Sequence, residues 1–167
     1  VWNVEFVAED LKINQVNSLK KIFKAGDLNA NIFLTSSGDS INSILGSLDG
    51  SMALSSEHME ISSPLIGKLF AADQSDDLFV NCAVLNALIE KGVVTLDKRA
   101  ALETSRFNML LNGQIDLDNK QMDLSFIPQK KNSKGEKSEQ VVSSISLVGP
   151  LNNPKPKVET KTLLNTP

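Results

Sequence analysis

Residues 106–128, RFNMLLNGQIDLDNKQMDLSFIP, constrain what this chain can fold into more than any other stretch. Side chains of a strand alternate between its two faces, so Phe107, Met109, Leu111, Ile115 and Leu117 fall on one side, and Asn108, Asn112, Gln114 and Asp116 on the other. Leu110 alone breaks the alternation. With Asn119 and Lys120 as a two-residue turn, Leu117 faces Met122, Ile115 faces Leu124 and Gly113 faces Phe126. A Phe laid across a Gly is a way to pin register, and a one-residue slip would carry the whole apolar set into water. The segment is therefore a hairpin with one oily face, and the fold must give that face somewhere to go.

The same alternation recurs along the chain. WNVEFVAEDLKI is strand-like, whereas NQVNSLKKIF carries Val16, Leu19, Ile22 and Phe23 at helical spacing and predicts a short helix. After Gly26, Leu28, Ala30, Ile32 and Leu34 alternate with Asn29 and Asn31 in a second strand. SINSILGSLDG places Ile41, Ile44, Leu45 and Leu48 at amphipathic spacing, which predicts a helix over 39–48 capped by Asp39. DGSMALSSEHMEI returns to strand, and SPLIGKLFAAD predicts a helix over 64–72 with Pro64 in its first turn. Residues 73–77 read as a loop. Leu78, Val80, Cys82 and Val84 then alternate in one strand, and Val94 and Leu96 lie in another beyond a turn at Lys91 and Gly92. Residues 129–140 contain no apolar side chain and read as a mobile polar loop; 150–167 read as a Pro-rich tail unable to extend a sheet ladder.

At 167 residues the chain is long enough to bury a core of its own and reads as a single domain, 1–167. The expected class is α+β, mainly antiparallel β: a curved sheet or half-barrel groove with two or three short helices. A net charge of −3, with no Tyr and a single Trp, argues against nucleic acid as a partner, because neither a basic surface nor stacking platforms can be assembled. One cysteine, Cys82, excludes an internal disulfide and a multi-thiolate metal centre. No run of about 18 apolar residues and no leader pattern is present. A chain that begins at Val1 without a Met is expected to be a piece of something longer.

Chemistry-bearing residues are few. His58 stands beside Glu57 and Glu60 and reads as a solvated strand residue, since catalysis would need partners from elsewhere. Cys82, between Val80 and Val84, reads as a small buried hydrophobe rather than a nucleophile. Asp73, Asp76 and Asp77 lack the spaced oxygens, central Gly and terminal Glu of a calcium loop. GSLDGS follows a helix and precedes a strand, the reverse of a phosphate-cradling order. Lys130, Lys131, Lys134 and Lys137 would meet anionic headgroups, but Glu136 and Glu139 dilute them. The expectation is a non-enzymatic chain without metal or cofactor.

Two helices of about three turns each are scant cover for seven or eight strands with apolar faces. Either the helices and sheet curvature close the core, or part of the face stays open to a ligand. An open groove would gain about 0.8 kcal/mol per buried methylene from an acyl chain. Its lining candidates are Met109, Leu111, Ile115, Leu117, Met122, Leu124 and Phe126, with Met52 and Met59 as further pliable apolar surface.

Taken in order, LNANIFLTSSGDSINSILGSLDGSMALSS, LFVNCAVLNALIEKGVVTLD, LNGQIDLDNKQMDLSFIPQ and SISLVGPLNNPKP resemble the C-terminal domain of the AsmA family: strand, short helix, strand, Cys-bearing strand, hairpin, and a last strand closed by Gly and Asn-Pro. The resemblance covers about residues 26–158, and more weakly the stretch from Val4. It implies a periplasmic module of an inner-membrane-anchored protein of Gram-negative bacteria, linked to outer-membrane assembly and lipid homeostasis. The implied partners are phospholipid or another lipid, the remainder of a longer chain, and an envelope protein. The bare alternative is an end-cap or protein-docking module that binds no lipid.

Overall fold

The computed structural model describes residues 1–62, 77–96, 100–105, 107–131, 137–141 and 144–159. They form one antiparallel sheet of eleven strands: β1 (Trp2–Lys12), β2 (Phe23–Ser36), β3 (Asp49–Ser62), β4 (Asp77–Glu90), β5 (Val93–Thr95), β6 (Ala100–Glu103), β7 (Phe107–Asp116), β8 (Gln121–Lys131), β9 (Lys137–Val141), β10 (Ser144–Pro150) and β11 (Lys155–Glu159). The order is that of a meander, β1-β2-β3-β4-β5-β7-β8-β10-β11; β6 continues the lane of β5 between β4 and β7, and β9 pairs with the far end of β8. Most strands pair with a neighbour in sequence, β5 with β6 and β9 with β10 being the exceptions, and among the described residues β1, β9 and β11 each have a single partner strand.

Register sorts the side chains into two faces. One row runs Val4, Leu34, Gly50, Ile89, Val94, Ile115 and Met122, and the next row on that side runs Phe6, Ile32, Met52, Ala87, then Leu124 and Leu147. This inner face carries the core, in which Ala87, Ile89, Val94, Leu96, Ala100 and Leu124 are buried against one another. The outer face carries Asn31, Ser51, Asn86, Thr95, Asn112, Gln114 and Ser125.

Among the described residues there is one α-helix, α1 (Ile41–Gly46), and one 3-10 turn at Ile13–Gln15. The helix expected over 39–48 is thus shorter, and its cap is Ser40 rather than Asp39: the Ser40 hydroxyl accepts from the Ser43 amide while the Ser43 hydroxyl accepts from the Ser40 amide, a reciprocal capping box. The helix expected from Val16, Leu19, Ile22 and Phe23 does not form. Lys20 and Phe23 donate to the Val16 and Leu19 carbonyls, but Phe23 opens β2 and the Ile22 carbonyl receives the Ser62 amide, so pairing with β3 wins over helical spacing. The helix expected over 64–72 and the acids Asp73 and Asp76 lie outside the described residues.

Three strand expectations need correction. The β7–β8 register is Ile115 with Met122, Gly113 with Leu124 and Leu111 with Phe126, two residues from the expected pairing. The turn is four residues, 117–120, held by Asp116, whose carboxylate accepts from the Asn119 amide at 2.9 Å and its side-chain amide at 2.8 Å, with Lys120 at φ 53°. A shift of two keeps every side chain on its face. Residues 129–140 are not wholly loop, because β8 runs to Lys131 and Lys137–Val141 pairs with it. The Pro-rich tail contributes β11, whose Pro156 is tolerated because it sits on an edge.

A band of irregularity crosses β1–β4. Asp10 in β1 has φ 51°, Gly26 in β2 φ 138° and His58 in β3 φ 53°, and pairing registers shift between Ala8 and Leu11 and around Ala25. Bulges of this kind strengthen the local twist and reset alternation. Glu9 and Asp10, Glu57 and His58, and Asn81 and Cys82 are consecutive exposed pairs, after which Leu11, Met59 and Ala83 return to the covered side. Cys82 is therefore exposed on the outer face, not buried with Val80 as expected, while Val80 is buried.

Candidate functional site: the apolar inner face

The inner face is closed at one end by α1 and its flanks. The Ser36 hydroxyl donates to the Ile44 carbonyl at 2.6 Å, the Ser47 hydroxyl to the Ser37 carbonyl at 2.5 Å, and Leu48 packs against the core. The turns of the neighbouring hairpins are fastened there as well: Gly92 donates to the Leu48 carbonyl at 2.8 Å, Leu117 to the Gly92 carbonyl at 2.9 Å, and Lys91 to the Asp49 carboxylate at 2.8 Å. Ser36 and Ser47 thus pin a single short helix over the mouths of three hairpins.

Cover along the face is uneven. The strands from β5 to β10 are sealed at Met109, 1% exposed, Val94, 8%, Leu124, 9%, and Leu147, 6%, whereas Val158 on β11 is exposed. On β1 the same rows emerge into solvent, with Val4 54% and Phe6 45% exposed. Behind them Ile32, Met52 and Leu54 are half-buried. Trp2, also on this side opposite Ser36, is exposed and points its indole N–H at the Gly38 carbonyl at 3.4 Å, beside the N-terminal end of α1.

The seven lining candidates of the sequence do gather on one face. Leu111, Ile115, Leu117, Met122 and Phe126 are half-buried against the core cluster, whereas Met109 and Leu124 are covered by protein. Of the two further methionines, Met59 is buried and Met52 half-buried. The accessible portions of the face lie at its two edges, Val158 on β11 and the wider lip formed by Trp2, Val4 and Phe6 on β1, which the sequence did not single out. The lip's signal was present in the alternation Val4, Phe6, Ala8, but which end of a sheet stays uncovered depends on strand order.

Titratable groups sit away from this face. His58 is exposed at its bulge. Asp77 pairs with Lys24 at 2.9 Å, and the Ser62 hydroxyl, then the Lys24 ammonium, hold its carboxyl below the ordinary range; Asp77 in turn raises Lys24. Among the described residues no group of three His, Cys, Asp or Glu is placed to hold a metal ion. No described helix is long and apolar enough to cross a membrane. Two surface depressions lie mainly on the outer face, one between Phe33 and Leu88 over Ser51, the other around Asn112, Gln114 and Asp123. No protein-family model matches this chain, and no curated protein or solved structure matches it either.

Proposed function

We propose that this chain is a non-enzymatic, AsmA-like periplasmic module, belonging to an inner-membrane-anchored protein of outer-membrane biogenesis, that holds lipid acyl chains against its apolar inner face. The observation that carries this reading is the gradient of cover on that face: sealed at β5–β8 and open at the lip of Trp2, Val4 and Phe6. Among the described residues a single sheet layer carries one six-residue helix, scant cover for its central side chains; a sheet that curls over them and leaves a trough toward the edge of β1 accounts for their burial. From Leu28 to Leu34 the inner side of β2 runs for about 20 Å at 3.3 Å per residue, a length suited to a fatty-acyl chain. Each methylene it covers gains about 0.8 kcal/mol, so a partly covered chain is held with useful affinity. The lining is then Phe6, Ile32, Met52 and Leu54 with Leu111, Met122 and Phe126 deeper in, while Met109 and Leu124 support it from below.

Uptake of a fluorescent fatty acid and of phospholipid from vesicles tests the reading. The native chain is expected to take up lipid, and Phe6→Asp with Met52→Asp to reduce uptake about tenfold, the equivalent of roughly 1.4 kcal/mol. Phe33→Asp on the outer face is expected to leave it unchanged. Equal uptake by all three proteins, or none by the native chain, overturns the proposal.

A further inference from the structure

From Trp2 to Ala8 the edge of β1 lacks the Lys, Pro and bulges that keep sheet edges from pairing; its one bulge lies beyond, between Ala8 and Leu11. Edges are ordinarily blunted by shortness, by Lys or Pro, or by covering segments. β11, at the opposite edge, shows this: five residues, with Lys155, Pro156 and Lys157 at its start. β1 has eleven residues and no Pro, and its first Lys is Lys12, whose ammonium is engaged by Asp27. Its register with β2 is unbroken from Trp2 to Ala8, ending at the bulge before Leu11. On the inner side Trp2, Val4 and Phe6 are exposed, and on the outer side so is Val7. Glu5, Glu9 and Asp10 are exposed, and none of their carboxylates makes an ion pair among the described residues.

We infer that the Trp2–Ala8 edge takes up an extended segment of a partner polypeptide in which apolar residues alternate with Lys or Arg. Main-chain pairing supplies the attachment in strand addition, and alternate side chains supply the choice of partner. Apolar positions of the incoming strand would extend the rows of Val4 and Phe6, and its basic positions would stand beside Glu5 and near Glu9. A second copy of this chain fits poorly. Antiparallel pairing of β1 with β1 over Trp2–Ala8 sets Glu5 of one copy against Glu5 of the other, and β11 is blunted by Pro156 and its lysines. The inference is independent of lipid, since it rests on the edge and its charges rather than on the face.

A peptide of alternating Val and Lys, titrated into the full chain, tests it, with its Val/Glu counterpart and a block-sequence isomer of the same composition as comparisons. The alternating basic peptide is expected to bind about tenfold or more tighter than either comparison. Amide hydrogen exchange of β1 is expected to slow on binding. Glu5→Lys with Glu9→Lys, both surface changes, is expected to reverse the preference toward the Val/Glu peptide. Equal binding of the block isomer, binding with no protection of β1, or an unchanged preference in the charge-swapped variant overturns the proposal. So does a native dimer that Phe6→Asp dissolves, which would assign the edge to a second copy.

Discussion

Ser56 and Gly113 show how single atoms decide stability in a one-layer sheet. Ser56 lies on the inner face, 3% exposed, and its hydroxyl has no hydrogen-bond partner among the described residues. A buried, unsatisfied hydroxyl costs about 1–3 kcal/mol, so Ser56→Ala is expected to stabilise the fold by about 1 kcal/mol, seen as a higher urea midpoint with an unchanged slope. Gly113 is the opposite case. It sits at φ 130°, and a Cβ there would lie 2.0 Å from the Asp123 carbonyl oxygen, so Gly113→Ala is expected to lower the midpoint by the equivalent of about 2 kcal/mol or more. The sequence marked Gly113 as a register-setting position but paired it with Phe126; Leu124 is its true neighbour, because Asp116 and Asn119 close a longer turn than two residues. Cys82 was misplaced for a related reason. Two exposed residues in succession at a bulge look, in a sequence, like one more step of alternation.

At the scale of elements, alternation made β2, β3, β7 and β8 legible, because each has one face that must be buried. The edge strands β9 and β11 were not legible: main-chain pairing holds them, and polar or Pro-containing sequence carries no periodic signal of that. The helical spacing of Val16, Leu19, Ile22 and Phe23 misled because local propensity yields to a long-range ladder, here the Ser62 amide on the Ile22 carbonyl at 2.7 Å. Turns give a pH-dependent prediction. The side-chain amide and backbone amide of Asn119 hold the Asp116 carboxyl below its ordinary range. A carboxyl depressed in the folded state contributes stability that is fully present above its unfolded pKa and is lost as pH falls through its folded one. Acidification from about pH 6 to about pH 2 is therefore expected to weaken the β7–β8 and β3–β4 pairs through Asp116 and Asp77 together. Asp116→Asn with Asp77→Asn is expected to flatten that acid-side loss in urea midpoints measured across the range.

For the whole molecule, the proposed function gives one apolar face two purposes, which mutation should separate. Around Met109 and Leu124 the face is core, so truncation there leaves a cavity; Met109→Ala is expected to cost about 2–5 kcal/mol, whatever its effect on a ligand. At the lip, Val4 and Phe6 already stand about half in water, so Val4→Ser and Phe6→Ser remove little buried area and are expected to change stability by less than about 1 kcal/mol. Chemical unfolding followed by tryptophan fluorescence measures the first quantity, with Trp2 as the only reporter, and lipid uptake measures the second. On the proposed function, Met109→Ala loses stability and, while folded, keeps uptake, whereas Val4→Ser with Phe6→Ser keeps stability and loses uptake. The order of strands dictates this division. A meander places β1 far from the β5–β8 centre, and α1 reaches only the end where the hairpin turns meet. If the lip variants destabilise the chain as much as Met109→Ala does, the lip is ordinary core, and the face has no working part distinct from its structural one.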